Sequence, residues 1–135
     1  MADAVATQTI DDGPQFAVFK FTNVSDGSGE AAVKKIDVSA LNSNPVTKKA
    51  CTSVTIQEIW YSTAGMSVRI DVDASTNVLA WLCIADYADS IDFSEFSGIP
   101  NNAGSGVTGD IDFTTIGHSN GDIYTICMKV IKHYG

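Results

Sequence analysis

The feature that most constrains the fold of this chain is an alternation of apolar and polar residues with a period of two. In the segment MSVRIDV (66–72), Met66, Val68, Ile70 and Val72 alternate with polar side chains. Successive side chains of a β-strand point to opposite faces of a sheet, so this alternation predicts a strand with one buried face. Helical spacing of apolar residues, three and four positions apart, is nearly absent from the chain.

The same alternation recurs along the chain and predicts further strands. The predicted strand segments are 15–23, 54–62, 66–72, 77–84, 110–115 and 122–133. In the first of them, Ala17, Phe19 and Phe21 are expected to share one face, and Phe16, Val18 and Lys20 the other. In the last, the residues expected to face inward are Tyr124, Ile126, Met128 and Val130. Segment 77–84 is apolar on both faces, which predicts a central strand covered on each side.

Segment 54–62, VTIQEIWYS, carries a less regular version of the pattern. Val54, Ile56 and Trp60 are expected to share one face, which Glu58 interrupts. Clusters of Gly, Asn, Asp, Ser and Pro separate the predicted strands, and such clusters favour turns. The turn segments are 11–14, 25–30, 42–45, 62–65, 73–76 and 117–122. We expect the turns at 62–65 and 73–76 to close hairpins between consecutive strands.

Seven to nine short strands with frequent turns predict an all-β fold, an antiparallel β-sandwich or jelly roll with little helix. A short helical turn is expected within 85–98, with Asp86 or Ser90 as its cap. The length of 135 residues is typical of one domain. We divide the chain into an N-terminal arm (1–14) and a single β-sandwich domain (15–135).

The charge of the chain argues against two classes of partner. Sixteen acidic residues and eight basic ones give a net charge of -8. Nucleic acids and anionic membranes are bound mainly through Lys and Arg, so neither is an expected partner. Charged residues make up only 18% of the chain, which leaves a neutral surface available for contacts with proteins. No apolar run has membrane-spanning length, and the N-terminus lacks signal-peptide character, so synthesis in the cytoplasm is expected.

The segment NNAGSGVTGD (101–110) is the one glycine-rich loop that suggests a nucleotide site. Gly104 and Gly109 have the outer spacing of a phosphate-binding loop. In such loops a lysine and the N-terminus of a helix follow the last glycine. Here Asp110 stands at the position of the lysine, and the alternating pattern of a strand follows. We therefore expect a loop between strands, at one end of the sandwich and available to a neighbouring subunit.

Carboxylates occur in three groups that are local in sequence. Their members are Asp71 and Asp73; Asp86, Asp89 and Asp92; and Asp110 and Asp112. Clustered carboxylates are ligands for Ca²⁺, but no EF-hand spacing is present. A glycosidase pair can be drawn from several of these residues, and nothing in the sequence selects one. The expectation is therefore a solvated sheet face or acidic loops.

The cysteines and histidines form no recognisable catalytic or zinc-binding arrangement. Cys83 and Cys127 lie in apolar runs and are expected to pack as small hydrophobic residues. Cys51 follows two lysines, which predicts an exposed thiol with a somewhat lowered pKa. His118 lies in a turn and His133 near the C-terminus, so both are expected to be exposed. Three unpaired cysteines are consistent with a reducing compartment.

Aromatic residues suggest one binding site. Trp60, Tyr61 and Trp81 could together form a platform for a carbohydrate, although packing in the core is the simpler expectation for all three. The sequence thus predicts no catalytic, cofactor-binding or metal-binding residue and no cofactor. It predicts a protein that is not an enzyme and that acts by binding or assembly.

Four segments resemble a family of small structural proteins of tailed bacteriophages. They are TQTIDDGPQFAVFKFTNVSDGSGE, KKIDVSAL, VTIQEIWYSTAGMSVRIDVDASTNVLAWL and GIPNNAGSGVTGDIDFTTIGHSNGDIYTICMKVIKHYG, which together cover nearly the whole chain. Such proteins are similar to capsid decoration, or cement, proteins, which are commonly β-rich and often form dimers or trimers on the capsid. The resemblance contains no site motif, so no functional residue is transferred.

The resemblance implies a viral structural protein located in the virion, with the major capsid protein and further copies of itself as partners. Synthesis would take place in the cytoplasm of the bacterial host. The arm contains a β-prone piece, Val5 to Ile10, which is expected to add as a strand to a neighbouring subunit or to the capsid. Two alternatives remain: a head–tail or tail accessory protein, and an adhesin-like β-sandwich that binds carbohydrate on a host surface.

Overall fold

The chain folds into nine β-strands in the computed structural model, which describes residues 4–93, 95, 98–100, 106 and 108–134. The strands are β1 (Ala4–Asp12), β2 (Phe16–Val24), β3 (Val33–Ile36), β4 (Cys51–Ala64), β5 (Ser67–Val72), β6 (Val78–Cys83), β7 (Ala88–Asp92), β8 (Ile111–Ile116) and β9 (Ile123–Tyr134). One turn of 3-10 helix, Val38–Ala40, follows β3, and the side chain of Asp37 caps it by accepting from the Ser39 amide.

The strands form two antiparallel sheets that pack face to face. The larger sheet has the order β1-β2-β9-β4-β7, and the smaller has the order β3-β8-β5-β6. Phe21 of the larger sheet meets Phe113 of the smaller one edge to face, with ring centroids 5.0 Å apart. The predicted antiparallel β-sandwich is thereby confirmed. Within the described residues, no helix has the length and apolar character needed to cross a membrane.

The core consists of the inward faces that the alternating pattern predicts. In β9 the predicted inward residues are all buried: Tyr124, Ile126, Met128 and Val130. In β2 the face formed by Ala17, Phe19 and Phe21 is the buried one. Val68, Ile70 and Val72 of β5 and Ile111 and Phe113 of β8 are buried opposite them. The period of two therefore located most of the core, because each of these strands has one face against the other sheet.

The predicted face of segment 54–62 is partly wrong. The pairing of β4 with β9 shifts register between Ile56 and Glu58, and such a bulge exchanges the faces of all the residues that follow it. Ile59 and Tyr61 are consequently buried, whereas Trp60 is 38% exposed on the outer face. The prediction placed Trp60 with Ile56 because a bulge leaves no mark in the hydrophobic pattern.

Two further predictions are wrong, one about the position of a strand and one about a hairpin. Segment 77–84 was expected to be a central strand, but β6 is an edge strand of the smaller sheet, with Leu79 and Leu82 about two-fifths exposed. The turn at 62–65 joins β4 to β5, which belong to different sheets, so it closes no hairpin. The hairpin predicted at 73–76 is confirmed, since β5 pairs with β6.

The helical turn expected within 85–98 is replaced over most of its length by a strand. Residues Ala88–Asp92 form β7, which pairs with β4 at the edge of the larger sheet. Its short polar sequence has little hydrophobic periodicity of either kind. Pairing to a long neighbouring strand decides its conformation, and that is a tertiary effect.

The N-terminal segment forms the other edge of the larger sheet. β1 pairs antiparallel with β2 from Ala4↔Val24 to Asp12↔Ala17. Most of the described part of the predicted arm therefore lies in the same sheet as the domain. The addition of β1 to a strand of a neighbouring chain stays a prediction. Such a strand would pair with the free edge of β1, the one that faces away from β2.

Candidate functional site

Two of the predicted carboxylate groups come together on the outer face of the smaller sheet. Asp71 of β5 lies directly opposite Asp112 of β8 in the strand register. Asp71 is 5% exposed, Asp112 is 4% exposed, and the neighbouring Asp110 is also 4% exposed. The expectation of a solvated acidic face is therefore wrong at these three residues, although they do occupy the face opposite to the core.

The burial of this carboxylate cluster comes from the β5–β6 turn, residues 73–77, which folds against the segment before β8. The amide of Asp73 donates to the carbonyl of Asp110 at 3.0 Å. The hydroxyl of Thr108 donates to Oδ2 of Asp73 at 2.6 Å. The amide Nδ2 of Asn77 donates to Oδ2 of Asp112 at 3.1 Å. These bonds join the turn to β8 and shield the carboxylates from water.

Two of the buried carboxylates have cationic partners. Nζ of Lys34 lies 2.8 Å from Oδ2 of Asp110, and Nε of Arg69 lies 2.7 Å from Oδ1 of Asp71. Burial, together with a hydrogen bond and repulsion from Asp73, raises the pKa of Asp112 to about 6. In the described part of the chain, no three His, Cys, Asp or Glu side chains are arranged to hold a metal ion.

The thiols are buried or half-buried, which corrects the prediction for Cys51. Cys51 is 3% exposed, and burial raises the pKa of its thiol, an effect that Lys132 only partly opposes. Burial raises the pKa of Cys83 to about 12. A thiol with a raised pKa is a poor nucleophile near neutrality, because the thiolate is the reactive form.

The two histidines are engaged in hydrogen bonds close to the sheets. Nε2 of His133 lies 2.6 Å from the hydroxyl of Thr55, and His133 is exposed as expected. Nδ1 of His118 lies 3.1 Å from the hydroxyl of Thr115, and this ring is half-buried. Neither ring is placed beside a cysteine thiol in the hydrogen bonds of the described residues, so the structure supplies no activated nucleophile there.

The glycine-rich segment leads into a strand, as the sequence predicts, and the described part of it is held closely by the fold. β8 begins at Ile111, so no helix N-terminus follows the glycines. Gly109 has a φ of +87°, and a Cβ placed on it would lie 2.0 Å from the carbonyl oxygen of Thr52. Residues 101–105, Gly104 among them, and residue 107 lie outside the described part of the chain.

The three aromatic residues of the predicted carbohydrate platform do not share a surface. Tyr61 is buried at 7% exposure, and only Trp60 is exposed on the outer face of the larger sheet. Trp81 is half-buried and packs edge to face on Phe93, with ring centroids 5.1 Å apart. The prediction of a platform of three rings is therefore wrong. A carbohydrate site on this surface would use Trp60 alone.

Trp60 stands beside a shallow trough of about 290 Å³. Two rows of outward residues cross four strands here: Lys20, Cys127, Trp60 and Ser90 form one row, and Thr22, Thr125, Ser62 and Ala88 form the next. The second row consists of short side chains, so the large indole forms a wall above them. The lining of the trough is mainly apolar, and the exposed face of Trp60 is the part of it able to stack on a flat ring.

The edge strand β1 is long and exposed, which makes it a candidate surface for strand addition. Residues 5–11 are exposed on both faces of the strand, including Val5 at 48% and Ile10 at 52%. Among the edge strands β1 is the longest, with nine residues against six, five and four for β6, β7 and β3. It contains neither Lys nor Pro, the residues that natural edges commonly use to prevent pairing.

Two buried ion pairs were not predicted from the sequence. Nζ of Lys35 lies 2.5 Å from Oε2 of Glu30 in one pair, and Nζ of Lys132 lies 2.5 Å from Oδ1 of Asp12 in the other. For Lys132 a signal existed, because it continues the inward alternation of Tyr124 to Val130. A lysine at an inward position predicts a buried acidic partner.

The comparisons with known proteins identify no family. No protein-family model matches the chain, and no curated protein is similar to it in sequence. A solved structure with some likeness is that of a cupin superfamily protein from Desulfitobacterium hafniense. It is 10% identical, the likeness covers 98% of this chain and 77% of that one, and the TM-score is 0.24. So low a TM-score supports no argument, and the fold assignment rests on the strand pairing itself.

Proposed function

We propose that this protein is a non-enzymatic structural protein of a bacteriophage virion, a capsid decoration protein that binds the major capsid protein and stabilises the head. The family resemblance of the sequence suggests the role. The observation that carries the proposal is the free edge of β1, which is long, exposed on both faces over residues 5–11 and without charged residues over residues 4–10.

A free strand edge binds other chains through its backbone. Its unpaired N–H and C=O groups accept an additional strand, and the flanking side chains then set the specificity. The bulge between Thr9 and Asp11 limits regular pairing to the first part of the strand. Ala4–Thr9 is therefore the proposed binding edge, and either a capsid strand or β1 of a second copy can occupy it.

The test of the role is the abundance of the protein in purified virions of the phage that encodes it. Quantitative mass spectrometry is expected to find a copy number comparable to that of the major capsid protein. A few copies per particle would indicate a portal or tail component instead. Absence of the protein from virions would refute the structural role altogether.

Binding through the β1 edge is tested by placing a charged side chain on that strand. Thr7→Lys places a cation in the middle of the binding edge, and we expect it to abolish capsid occupancy because charged side chains block strand addition. Val46→Lys is the matched control, since Val46 is 86% exposed in the segment before β4. Equal occupancy for both variants would contradict binding through β1.

A second candidate function, carbohydrate binding at the Trp60 trough, is favoured by the exposure of that aromatic ring at the wall of the trough. Trp81→Phe leaves Trp60 as the single tryptophan, so its fluorescence reports the trough alone. A change in this fluorescence with added glycans, abolished by Ser62→Tyr, would support the site. An unchanged spectrum across a glycan panel would exclude this candidate and leave the capsid proposal untouched.

A further inference from the structure

A lysine, a carboxylate and a side-chain amide meet in the interior at one end of the sandwich. Nζ of Lys35 lies 2.5 Å from Oε2 of Glu30, and Nδ2 of Asn23 donates to Oε1 of the same carboxylate at 2.9 Å. The amine and the amide are therefore separated by a single carboxyl group. The side chains of Lys35 and Glu30 are 4% and 5% exposed, and Asn23 is 1% exposed. Water therefore has little access to any of the three groups.

The three side chains come from separate parts of the chain. Asn23 continues the inward face of β2 and lies opposite Tyr124 of β9 in the register. The pairing of β3 with β8 shifts register across Lys35, and such a bulge redirects a side chain. Glu30 lies in the connection between β2 and β3. Because β2 belongs to the larger sheet and β3 to the smaller one, the cluster bridges the two sheets.

The carboxylate at the centre of the cluster is held in place by further contacts. The hydroxyl of Tyr124 donates to Oε1 of Glu30 at 2.6 Å, and the ring of Tyr124 packs edge to face on Phe113, with centroids 6.0 Å apart. The backbone amide of Glu30 donates to the hydroxyl of Thr115 at 2.8 Å. A carboxylate fixed between a primary amine and a primary amide is positioned to transfer protons from one to the other.

We propose that Lys35 and Asn23 form an intramolecular isopeptide bond, with Glu30 as the catalytic carboxylate. Nζ of Lys35 attacks Cγ of Asn23, so that a bond forms between these atoms and the bond from Cγ to Nδ2 breaks. Glu30 accepts in turn the two protons that the ammonium loses and passes them to Nδ2, which leaves as ammonium. The positive charge leaves with it, Glu30 ends as it began, and no further reactant takes part.

The fold supplies the conditions that this reaction needs. Transfer of the first proton to Glu30 converts the ammonium of Lys35 to a neutral amine, the nucleophilic form. The flexible four-carbon stem of lysine then allows Nζ to move from the carboxylate onto Cγ of Asn23. Holding a nucleophile beside its target replaces a collision in solution and greatly raises the rate. Burial of Asn23 also excludes the water that would compete by hydrolysing the amide.

The second buried lysine provides a comparison within the same molecule. Nζ of Lys132 contacts a carboxylate oxygen of Asp12 and two backbone carbonyls. The side-chain amide of the nearby Asn42 is exposed, and it donates to the backbone carbonyl of Asp12 instead of to the carboxylate. Of the two buried ion pairs described above, the pair of Lys35 with Glu30 is thus the one whose carboxylate also binds a side-chain amide. We expect no bond at Lys132.

Intact mass spectrometry of the folded full-length protein tests the bond without any substitution. Loss of ammonia lowers the mass by about 17 Da, and we expect nearly all of the protein to show this loss after prolonged incubation. Trypsin should then release residues 21–34 joined to residues 35–48, because acylated Lys35 is not cleaved. Succinimide formation at Asn120, which precedes a glycine, also releases ammonia, so fragmentation of the joined peptides has to locate the linkage.

Three results for the unmodified protein would overturn the proposal. The first is a full mass after incubation, which would leave the cluster a structural ion pair only. The second is a loss of ammonia that maps to Asn120 or to another site. The third is a loss of about 18 Da, the mass of water, which would indicate condensation of Lys35 with Glu30 itself.

The same substitution at two neighbouring lysines gives a matched pair of variants. Lys35→Arg keeps a cation beside Glu30 but has no reactive amine, so we expect it to fold and to retain the full mass. Lys34→Arg, at a side chain that is 49% exposed, should lose ammonia as the unmodified protein does. Loss of ammonia from residues 21–34 in both variants would contradict the assignment to Lys35.

The role of Glu30 is tested by Glu30→Met, which has a similar length but neither carries a proton nor acylates a lysine. We expect the rate of ammonia loss to fall at least about a hundredfold, with circular dichroism as the check on folding. An unchanged rate in the folded variant would overturn the catalytic role of Glu30. None of these results bears on the capsid proposal, which depends on the free edge of β1.

Discussion

Nζ of Lys132 lies 2.5 Å from Oδ1 of Asp12, although the two residues are separated by 120 positions in the chain. The same ammonium donates to the carbonyls of Gly13 and Asn42 at 3.0 and 2.8 Å. Its side chain is fully buried. Burial lowers the pKa of Lys132, but hydrogen bonds with Asp12 and Tyr134 outweigh it, so the net shift is upward and the group is charged.

The first prediction follows from this contact. Lys132→Met is expected to lower the free energy of unfolding by about 3 kcal/mol, because it leaves a largely buried carboxylate and two carbonyls without their donor. Urea unfolding followed by fluorescence measures the effect. Lys49→Met, at an exposed loop position, is the control and should change stability by less than about 0.5 kcal/mol. Similar values for the two variants would show that the buried lysine contributes nothing specific.

The second prediction concerns Glu30, whose Oε1 accepts from Tyr124 at 2.6 Å and from Asn23 at 2.9 Å. Tyr124→Phe removes one donor from a buried carboxylate, and we expect a loss of about 1–3 kcal/mol in unfolding free energy. Tyr61→Phe removes a hydroxyl from another buried tyrosine that does not contact Glu30. That variant should cost clearly less, and equal costs would argue against a specific role of the bond.

The third prediction uses two glycines with nearly the same backbone conformation. Gly109 and Gly121 have φ of +87° and +92°, but a Cβ at Gly121 would meet nothing within 4 Å. Gly121→Ala should cost about 1–2 kcal/mol, the ordinary penalty of the left-handed region. Gly109→Ala should cost more, because its Cβ also collides with the backbone at Thr52. Equal losses in thermal unfolding experiments would show that the β4 backbone moves aside freely.

The fourth prediction concerns thiol reactivity. Because burial raises the pKa of Cys51 and that of Cys83, both should react with iodoacetamide far more slowly in the folded protein than in urea near neutral pH. Mass spectrometry of peptides after timed alkylation measures each site. Rapid modification of Cys51 in the folded state would mean that the strand end at which it lies opens readily.

Segments of the chain differ in how well the sequence predicts them. β2, β5 and β9 have one face in the core, and their apolar residues alternate accordingly, so the sequence predicts these strands and which of their residues share a face. β6 and β7 lie at sheet edges, where burial is incomplete. The residues of β6 are apolar on both faces, which is the pattern of a central strand, although β6 lies at an edge. The short polar sequence of β7 has no period of two, so the sequence does not predict it as a strand.

The candidate sites were less predictable than the fold. Asp71 and Asp112 are separated by 41 positions, and only the register between β5 and β8 places them opposite each other. The bulge after Ile56 turns Trp60 outward and Tyr61 inward, which divides the predicted aromatic platform. In both cases the relevant quantity is a strand register, which a sequence pattern with a period of two does not specify.

The sequence by itself determined that this protein is built from strands with one buried face, since the alternation of side chains across a strand is a local property of the backbone. Tertiary structure alone decided which strands are neighbours, which carboxylates lie opposite each other, and which edge stays free. Those features depend on pairing between residues far apart in the chain. The free energy of such pairing comes from burial and hydrogen bonding in the assembled sandwich rather than from any single segment.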